Sequence, residues 1–326
     1  MPSETELSPI LVTGAAGFIG SRFVASCNER SIPVISVDGE SLFRERNELA
    51  GIDFGTVIDT DALPNRLADL EFGSVMHLGA CTDTTELDVD FLTRVNLDAS
   101  KRLWNACTDR SIPLVYASSA ATYGDGTKGF VDDESEHHLL EPLNPYGDSK
   151  LQFDLWAVEE ERSGRRPKAW SGFKFFNVYG YGERHKGPMS SVVVQAFDQI
   201  RATGKLKLFR SHRDDVADGH QTRDFVFVDD VVEVLWFALR NPLKRGIYNL
   251  GSGHARTFLD LGRAVFQALG EECVIDWIPT PEHLRERYQY FTEADLTKLR
   301  EAGYDREFTS LEDGVKTTVE RLQARL

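Results

Sequence analysis

The stretch Gly14-Ala15-Ala16-Gly17-Phe18-Ile19-Gly20 follows directly on the short apolar run Ile10–Thr13. Strand, glycine-rich turn and helix in that order leave few folds open to the chain. Glycines so placed permit a tight turn, close approach of backbone to a pyrophosphate, and close packing of helix on sheet. Phosphates would sit on free backbone N–H groups at the positive end of the helix dipole. A glycine-rich turn without a ligand is the plain alternative. Against it stands a second apolar run, Pro33–Asp38, which ends in an acid suited to a ribose hydroxyl of an adenosine. Dinucleotide binding is therefore expected, with Gly14, Gly17, Phe18, Ile19, Gly20 and Asp38 as contacts. Asp38 favours NAD, whereas Arg44 and Arg46 just beyond it could accept a 2′-phosphate, so these residues leave NAD and NADP both open.

Further runs of strand length, Ser74–Gly79 and Pro113–Ser118, alternate with helical stretches near Gly17–Arg30 and Asp88–Arg110. A helix should follow Tyr146 and a strand should cover Ala169–Phe176. Such alternation predicts an α/β fold with a Rossmann-type, doubly wound parallel sheet. From about residue 177 the pattern loosens into loops rich in Gly, His and Arg. Helices are expected there near Met189–Thr203, Val228–Arg240, Phe258–Leu269 and Leu311–Leu326. The reading is a dinucleotide-binding domain over residues 1–176, to which later segments return. Residues 177–326 form mainly a smaller α/β substrate-binding lobe.

Net charge is −15, from 37 basic and 52 acidic side chains, which argues against tracking a nucleic-acid backbone. No run approaches the apolar length of a membrane span, and the N-terminal residues lack the order of a signal peptide. Cys27, Cys81, Cys107 and Cys273 show no metal-ligand spacing. A reduced cytoplasmic protein without a metal is expected.

Ser119 lies just past the run Pro113–Ser118, and Tyr146-Gly147-Asp148-Ser149-Lys150 opens a helix one element later. Four residues apart, Tyr146 and Lys150 share a helical face. A nearby ammonium and a positive nicotinamide favour phenolate, so Tyr146 can take a hydroxyl proton near neutrality. Lys150 would also hold the nicotinamide ribose, and Ser119 would hydrogen-bond the reacting oxygen. Alone, a tyrosine and lysine at this spacing is a common surface pair. The glycine loop and Ser119 give it meaning.

The spacing of the glycines resembles the extended, sugar-nucleotide branch of the short-chain dehydrogenase/reductase superfamily. Longer segments narrow the likeness: His77-Leu78-Gly79-Ala80-Cys81-Thr82-Asp83-Thr84-Thr85-Glu86, Tyr116–Gly124, Phe175–Gly180, His185-Lys186-Gly187, Arg223–Val226 and Arg287–Thr292. These resemble the ADP-L-glycero-D-manno-heptose 6-epimerase family, from the first strand to about Tyr304. The resemblance implies inversion at carbon 6 of an ADP-heptose, for lipopolysaccharide inner-core supply, by bound NADP, one per subunit and tightly held. A transient ketone turns in the site and receives the same hydride on its other face. It implies Tyr146 and Lys186 as acid/base groups on opposite sides of that carbon. Gly79, Ala80, Cys81, Asn96, Lys150, Val178 and His185 are implied as cofactor contacts. Ser119, Asn177, Lys186, Arg223 and Tyr288 are implied as substrate contacts, with Arg223 before a β-rich run and paired with the diphosphate. A homo-oligomer, specifically a pentamer, is implied too.

Two stretches look longer than in the shortest members, Asp125–Leu143 with His137 and His138, and Arg210–Thr222 with His212 and His220. They are read as solvated loops rather than metal ligands. Rival readings are a UDP-hexose 4-epimerase, which needs no lysine in the role of Lys186, and a ketone reductase using external cofactor. A 4,6-dehydratase would carry an Asp-Glu pair where Ala120 and Ala121 stand. A non-catalytic dinucleotide-binding regulator on the same fold is the alternative of a different class.

Overall fold

The computed structural model describes residues 8–44, 46–241, 243–285 and 288–324. In chain order its strands are β1 (Ile10–Thr13), β2 (Val34–Asp38), β3 (Thr56–Asp59), β4 (Ser74–His77), β5 (Leu114–Ser119), β6 (Trp170–Phe175), β7 (Asn177–Tyr179), β8 (Leu206–Phe209), β9 (Thr222–Phe227), β10 (Gly246–Leu250), β11 (Ala255–Thr257) and β12 (Ile275–Ile278). The longer helices are α1 (Phe18–Glu29), α2 (Ala99–Arg110), α3 (Pro145–Ser163), α4 (Val192–Thr203), α5 (Val228–Arg240), α6 (Phe258–Leu269) and α7 (Leu311–Gln323).

Seven strands pair in the order β10-β6-β5-β4-β1-β2-β3, every pair parallel. Chain direction across the sheet reverses between β1 and β4, the place where open α/β sheets leave a crevice at their carboxyl ends. Both faces are covered, which is why β1 is apolar without alternation. Its side chains still divide by period two. Ile10 and Val12 join Phe23, Val24 and Trp236 of α1 and α5, whereas Leu11 joins Leu103, Trp104 and Phe153 of α2 and α3.

Beyond β6 the chain forms a three-stranded sheet, β11-β9-β7, and a parallel pair, β12-β8. These pack with α4, α6 and α7 on a third apolar cluster centred on Phe197, Phe227, Phe266 and Val315. Three expectations need correction. The stretch 177–227 is richer in strands than the loop reading allowed, and Arg223 lies inside β9 rather than before a β-rich run. Residues 88–110 are not one helix: Val89–Leu92 passes into a π turn over Thr93–Asp98 before α2 begins. α4 starts at Val192 rather than Met189, and α7 is helical to Gln323, the last two residues lying outside the described ones. Among the described residues no helix is long and apolar enough to cross a membrane.

Candidate active site

The glycine loop is tight because its own backbone leaves no room. At Gly20 an added Cβ would lie 1.9 Å from the Gly14 carbonyl oxygen, and at Gly14, with φ +67°, 2.7 Å from the Gly79 nitrogen. The loop thus touches Gly79, two residues past the end of β4. Thr13 cements the contact, its hydroxyl accepting from the Gly79 N–H at 3.1 Å and meeting His77 Nδ1 at 2.6 Å. Ser100 donates to the Asn96 carbonyl, so it accepts from His77 Nε2–H, which leaves Nδ1 to accept from Thr13. Burial, with Lys150 nearby, drops the His77 pKa to about 3, and the ring stays neutral. Gly20→Ala is expected to cost about 2 kcal/mol or more by overpacking. The variant should purify without dinucleotide absorbance and melt several degrees lower; an unchanged cofactor content would contradict this account of the loop.

A cavity of about 1010 Å³ opens from the loop, lined by Gly14, Asp38, Thr60, Asp61, Gly79, Ala80 and Cys81 among others. Its size and mainly apolar lining, with Asp38 and the glycine loop at one end, fit the adenosine end of a dinucleotide. Asp38 accepts from the Ala16 and Gly39 N–H groups, both at 3.0 Å, and burial pushes its carboxyl up despite these bonds and Arg46. Thr60 and Asp61 were missed in the sequence because β3, which delivers them, is four residues long and half exposed. Cys81 has a thiol pushed up by burial, and its backbone is tied to Asn96, which accepts from Cys81 N–H at 2.8 Å. The same Asn96 amide donates to the Cys81 carbonyl and to Ser149. The π turn aims this residue inward, so Asn96 braces the cavity wall against α3.

α3 opens with Pro145 in its first turn and Asn144 as cap, whose side chain accepts from Gly147 N–H at 2.8 Å. Tyr146 and Lys150 are buried on one face, and Ser119 ends β5 beside them. Lys150 donates to the Ala117 carbonyl at 3.0 Å. Burial lowers its pKa to about 8, opposed by Asp154 and Cys81. The Tyr146 phenol is pushed up by burial, the Ser119 hydrogen bond opposing, which is opposite to the lowering expected from a neighbouring ammonium alone. What favours phenolate here is the positive end of α3 and any cation brought to its face.

Lys186 and His185 sit on a second segment, folded over the start of α1. Glu183 anchors it: fully buried, it accepts from Gly180 N–H at 3.2 Å and Ser191 N–H at 2.7 Å. Gly187, at φ +52°, makes the turn after Lys186. The Lys186 ammonium is 4.0 Å from Glu183 and 5.5 Å from the Phe18 ring centroid. Arg46 donates to the Ala16 and Gly182 carbonyls and reaches His185 Nδ1 at 2.7 Å, so it ties this segment to the glycine loop. Burial and the cations Arg46 and Lys186 lower His185 to about 4. Arg44 is exposed and paired with Glu40. Glu183 was not foreseen, since nothing in the sequence marks one acid of a polar loop as buried.

Arg223 is 9% exposed, lies over the rings of Phe258 and Tyr288 at 5.6 and 5.5 Å, and donates to the Thr222 carbonyl. Among the described residues it has no carboxylate partner; Asp224 beside it accepts from Ser252, Gly253 and Ala294 N–H groups instead. A buried guanidinium without a counter-charge is a ready anion site. The Arg210–Thr222 stretch is not purely solvated: His212 Nδ1 meets Tyr290 Oη at 2.9 Å, beside Tyr288. His137 is buried and His138 exposed. Asn177 opens β7, exposed, followed by half-buried Val178. Arg287 lies outside the described residues.

The candidate site residues therefore fall into three groups: Ser119, Tyr146 and Lys150 at the end of β5 and the start of α3; His185 and Lys186 over the glycine loop; Arg223 on β9 with Tyr288. Residues 10–251 match the NAD dependent epimerase/dehydratase family. A curated relative from Fusobacterium nucleatum, named ADP-L-glycero-D-manno-heptose-6-epimerase, is 45% identical over 331 residues, covering 97% of this chain and 98% of the relative. A crystal structure of the Helicobacter pylori ADP-L-glycero-D-manno-heptose-6-epimerase superposes with a TM-score of 0.81 at 28% identity, over 99% of each chain. A Thermus thermophilus UDP-glucose 4-epimerase in complex with NAD superposes with a TM-score of 0.78 at 25% identity, over 97% of this chain and 99% of the other. The chain is an isomerase of the NAD dependent epimerase/dehydratase family, and within it belongs with the relatives named ADP-L-glycero-D-manno-heptose-6-epimerase.

Proposed function

We propose that this chain inverts carbon 6 of ADP-D-glycero-D-manno-heptose to the L-glycero form, supplying heptose for a lipopolysaccharide inner core. The observation that carries the reading is the placement of a second lysine apart from Tyr146 and Lys150. Lys186 stands on a braced segment above the glycine loop, in addition to Tyr146 in the first turn of α3. In this reading the carbon-6 oxygen changes place when the heptose turns, so removal and return of its proton fall to different groups. A 4-epimerase reading gives Lys186 no task.

Glycine-loop N–H groups and Asp38 would hold the dinucleotide, with Lys150 on the nicotinamide ribose. The bound dinucleotide supplies a hydride acceptor and then the donor of the same hydride. Ser119 hydrogen-bonds the carbon-6 oxygen, and Tyr146 takes the proton of that hydroxyl as the hydride leaves. The ketone turns, and Lys186 protonates the oxygen when the opposite face is reduced. Arg223 pairs with the diphosphate, which tethers the nucleotide while the heptose turns; Asn177 and Tyr288 line the path. NADP is the form we propose, because a 2′-phosphate beside Asp38 would meet Arg46, whose charge already reaches that carboxylate. A homo-oligomer, a pentamer, in the cytoplasm belongs to the same reading.

The test is to incubate the purified protein with ADP-D-glycero-D-manno-heptose and no added cofactor, following the carbon-6 epimers by NMR. Conversion with a retained dinucleotide of NADP mass is the expected result. No conversion, with NADP or NAD supplied, overturns the heptose reading; an NAD mass overturns the cofactor choice alone.

A further inference from the structure

Behind Tyr146 and Lys150 lies a fully buried ion pair that the proposed mechanism leaves unused. Asp154 is one helical turn past Lys150 on the same face of α3, and Lys174 projects from β6; both side chains are 0% exposed and their charged atoms are 2.9 Å apart. Asp154 accepts from Tyr116 Oη at 3.0 Å and from Ser118 Oγ at 2.6 Å. Lys174 also donates to Thr122 Oγ1 at 2.7 Å, and Thr122 in turn donates to the Ser119 carbonyl at 2.8 Å. Two branches thus end at Ser119, through its neighbour Ser118 and through Thr122, while Tyr116 and the Lys150 bond to Ala117 hold the strand just before it.

A buried ion pair is a poor way to gain stability, since well-packed apolar residues of the same volume do as well or better. Here it sits where β6, the 3₁₀ turn Ala120–Tyr123 and α3 meet. We propose that the Asp154–Lys174 pair is a positioning element of the reaction, locking the Ser119 end of β5 to the Tyr146–Lys150 face of α3 and placing a fixed negative charge behind the proton-exchanging phenol. This rests on the reading of Tyr146 as that group. Other titratable and charged groups face the pair. Lys150 lies on its own helix, Tyr116 on β5, Tyr123 on the 3₁₀ turn, and His137 and Glu134 on the segment that covers it. His137 is held neutral, its pKa lowered to about 4 by burial and by Lys174, and Glu134 is paired with Lys298. Cys81 faces Tyr146 and Lys150 from the cofactor side. Asp154 pushes both Tyr146 and Lys150 upward, which fixes the sign of the test.

Asp154→Asn keeps the shape and removes the charge. It is expected to move the ascending limb of kcat against pH downward by about half a unit or more. At the optimum kcat should fall roughly tenfold with KM unchanged, as for lost orientation. Asp154→Asn/Lys174→Met removes the cation that the single variant leaves unpaired and so guards against unfolding. Its limb should move the same way by less, because Asp154 is the member that reaches Tyr146. Tyr146 ionisation is read separately by ultraviolet difference titration, each protein against the same protein carrying Tyr146→Phe. That titration needs no substrate, so it reports on Asp154 even if ADP-heptose is not turned over. An unmoved phenol and an unmoved limb in both variants, whatever happens to kcat, overturn the proposal and leave the pair as scaffold.

Discussion

Tyr146→Phe is expected to lower kcat for carbon-6 inversion about a thousandfold, roughly 4 kcal/mol of barrier, while the dinucleotide stays bound. Phenylalanine keeps the buried ring and loses only the oxygen that Ser119 meets, so packing on α3 is preserved. Lys150 keeps its bond to the Ala117 carbonyl, and Asn144 keeps its cap, since neither depends on the phenol. The loss should therefore fall on kcat with KM little changed, the mark of an interaction made in the transition state alone. Measurement of both constants, with cofactor content by absorbance, checks it. A fall of less than tenfold would remove Tyr146 from the role of proton acceptor.

Lys186→Met is the second large effect, expected to slow inversion about a hundredfold or more, with the fold retained and the melting temperature a few degrees lower. The side chain is 29% exposed and stands 4.0 Å from fully buried Glu183, whose carboxyl is pushed up by burial with Lys186 opposing, so some stability is lost with the cation. Glu183 keeps its backbone and Ser191 partners, and the segment stays folded. What is lost is proton exchange on one face of carbon 6, so hydride returned to the turned ketone finds no donor. Progress curves by NMR decide the matter. Parent-like rates would sink the two-sided mechanism and favour a sugar-nucleotide epimerase that works from Tyr146 alone.

The parts of the fold legible in the sequence are those with short-range signals. β1, β2, β4 and β5 are short, mainly apolar runs bounded by turn residues, β6 is aromatic-rich around Ser171 and Lys174, and the glycines mark α1. β3, β8, β11 and β12 are three or four residues long, and their existence depends on a partner strand rather than on local pattern. The same division holds for the site. Ser119, Tyr146 and Lys150 could be picked out because one helical turn and one strand end bring them together. Asp154, Lys174 and Glu183 look like ordinary surface charges in the sequence, and only tertiary packing buries them. Asn96 is a further case, since a regular helix gives no hint that its amide would be spent on Cys81 and Ser149.

β10 closes one side of the main sheet, pairing with β6 from Ser171 to Phe175 although some 75 residues separate the two strands. During synthesis that order has a cost in time. At about 5–20 residues per second, β6 waits roughly 4–15 seconds with its outer row of N–H and C=O groups unpaired. Throughout that interval an apolar, fully formed sheet would offer a template to any neighbouring extended chain. The late strand therefore does more than widen the sheet. Until Leu250 has left the ribosome the nascent chain carries an open seam; β10 then takes the edge place itself, with the N–H groups of Ile247 and Asn249 accepted by Glu134 and Asp132 rather than left bare.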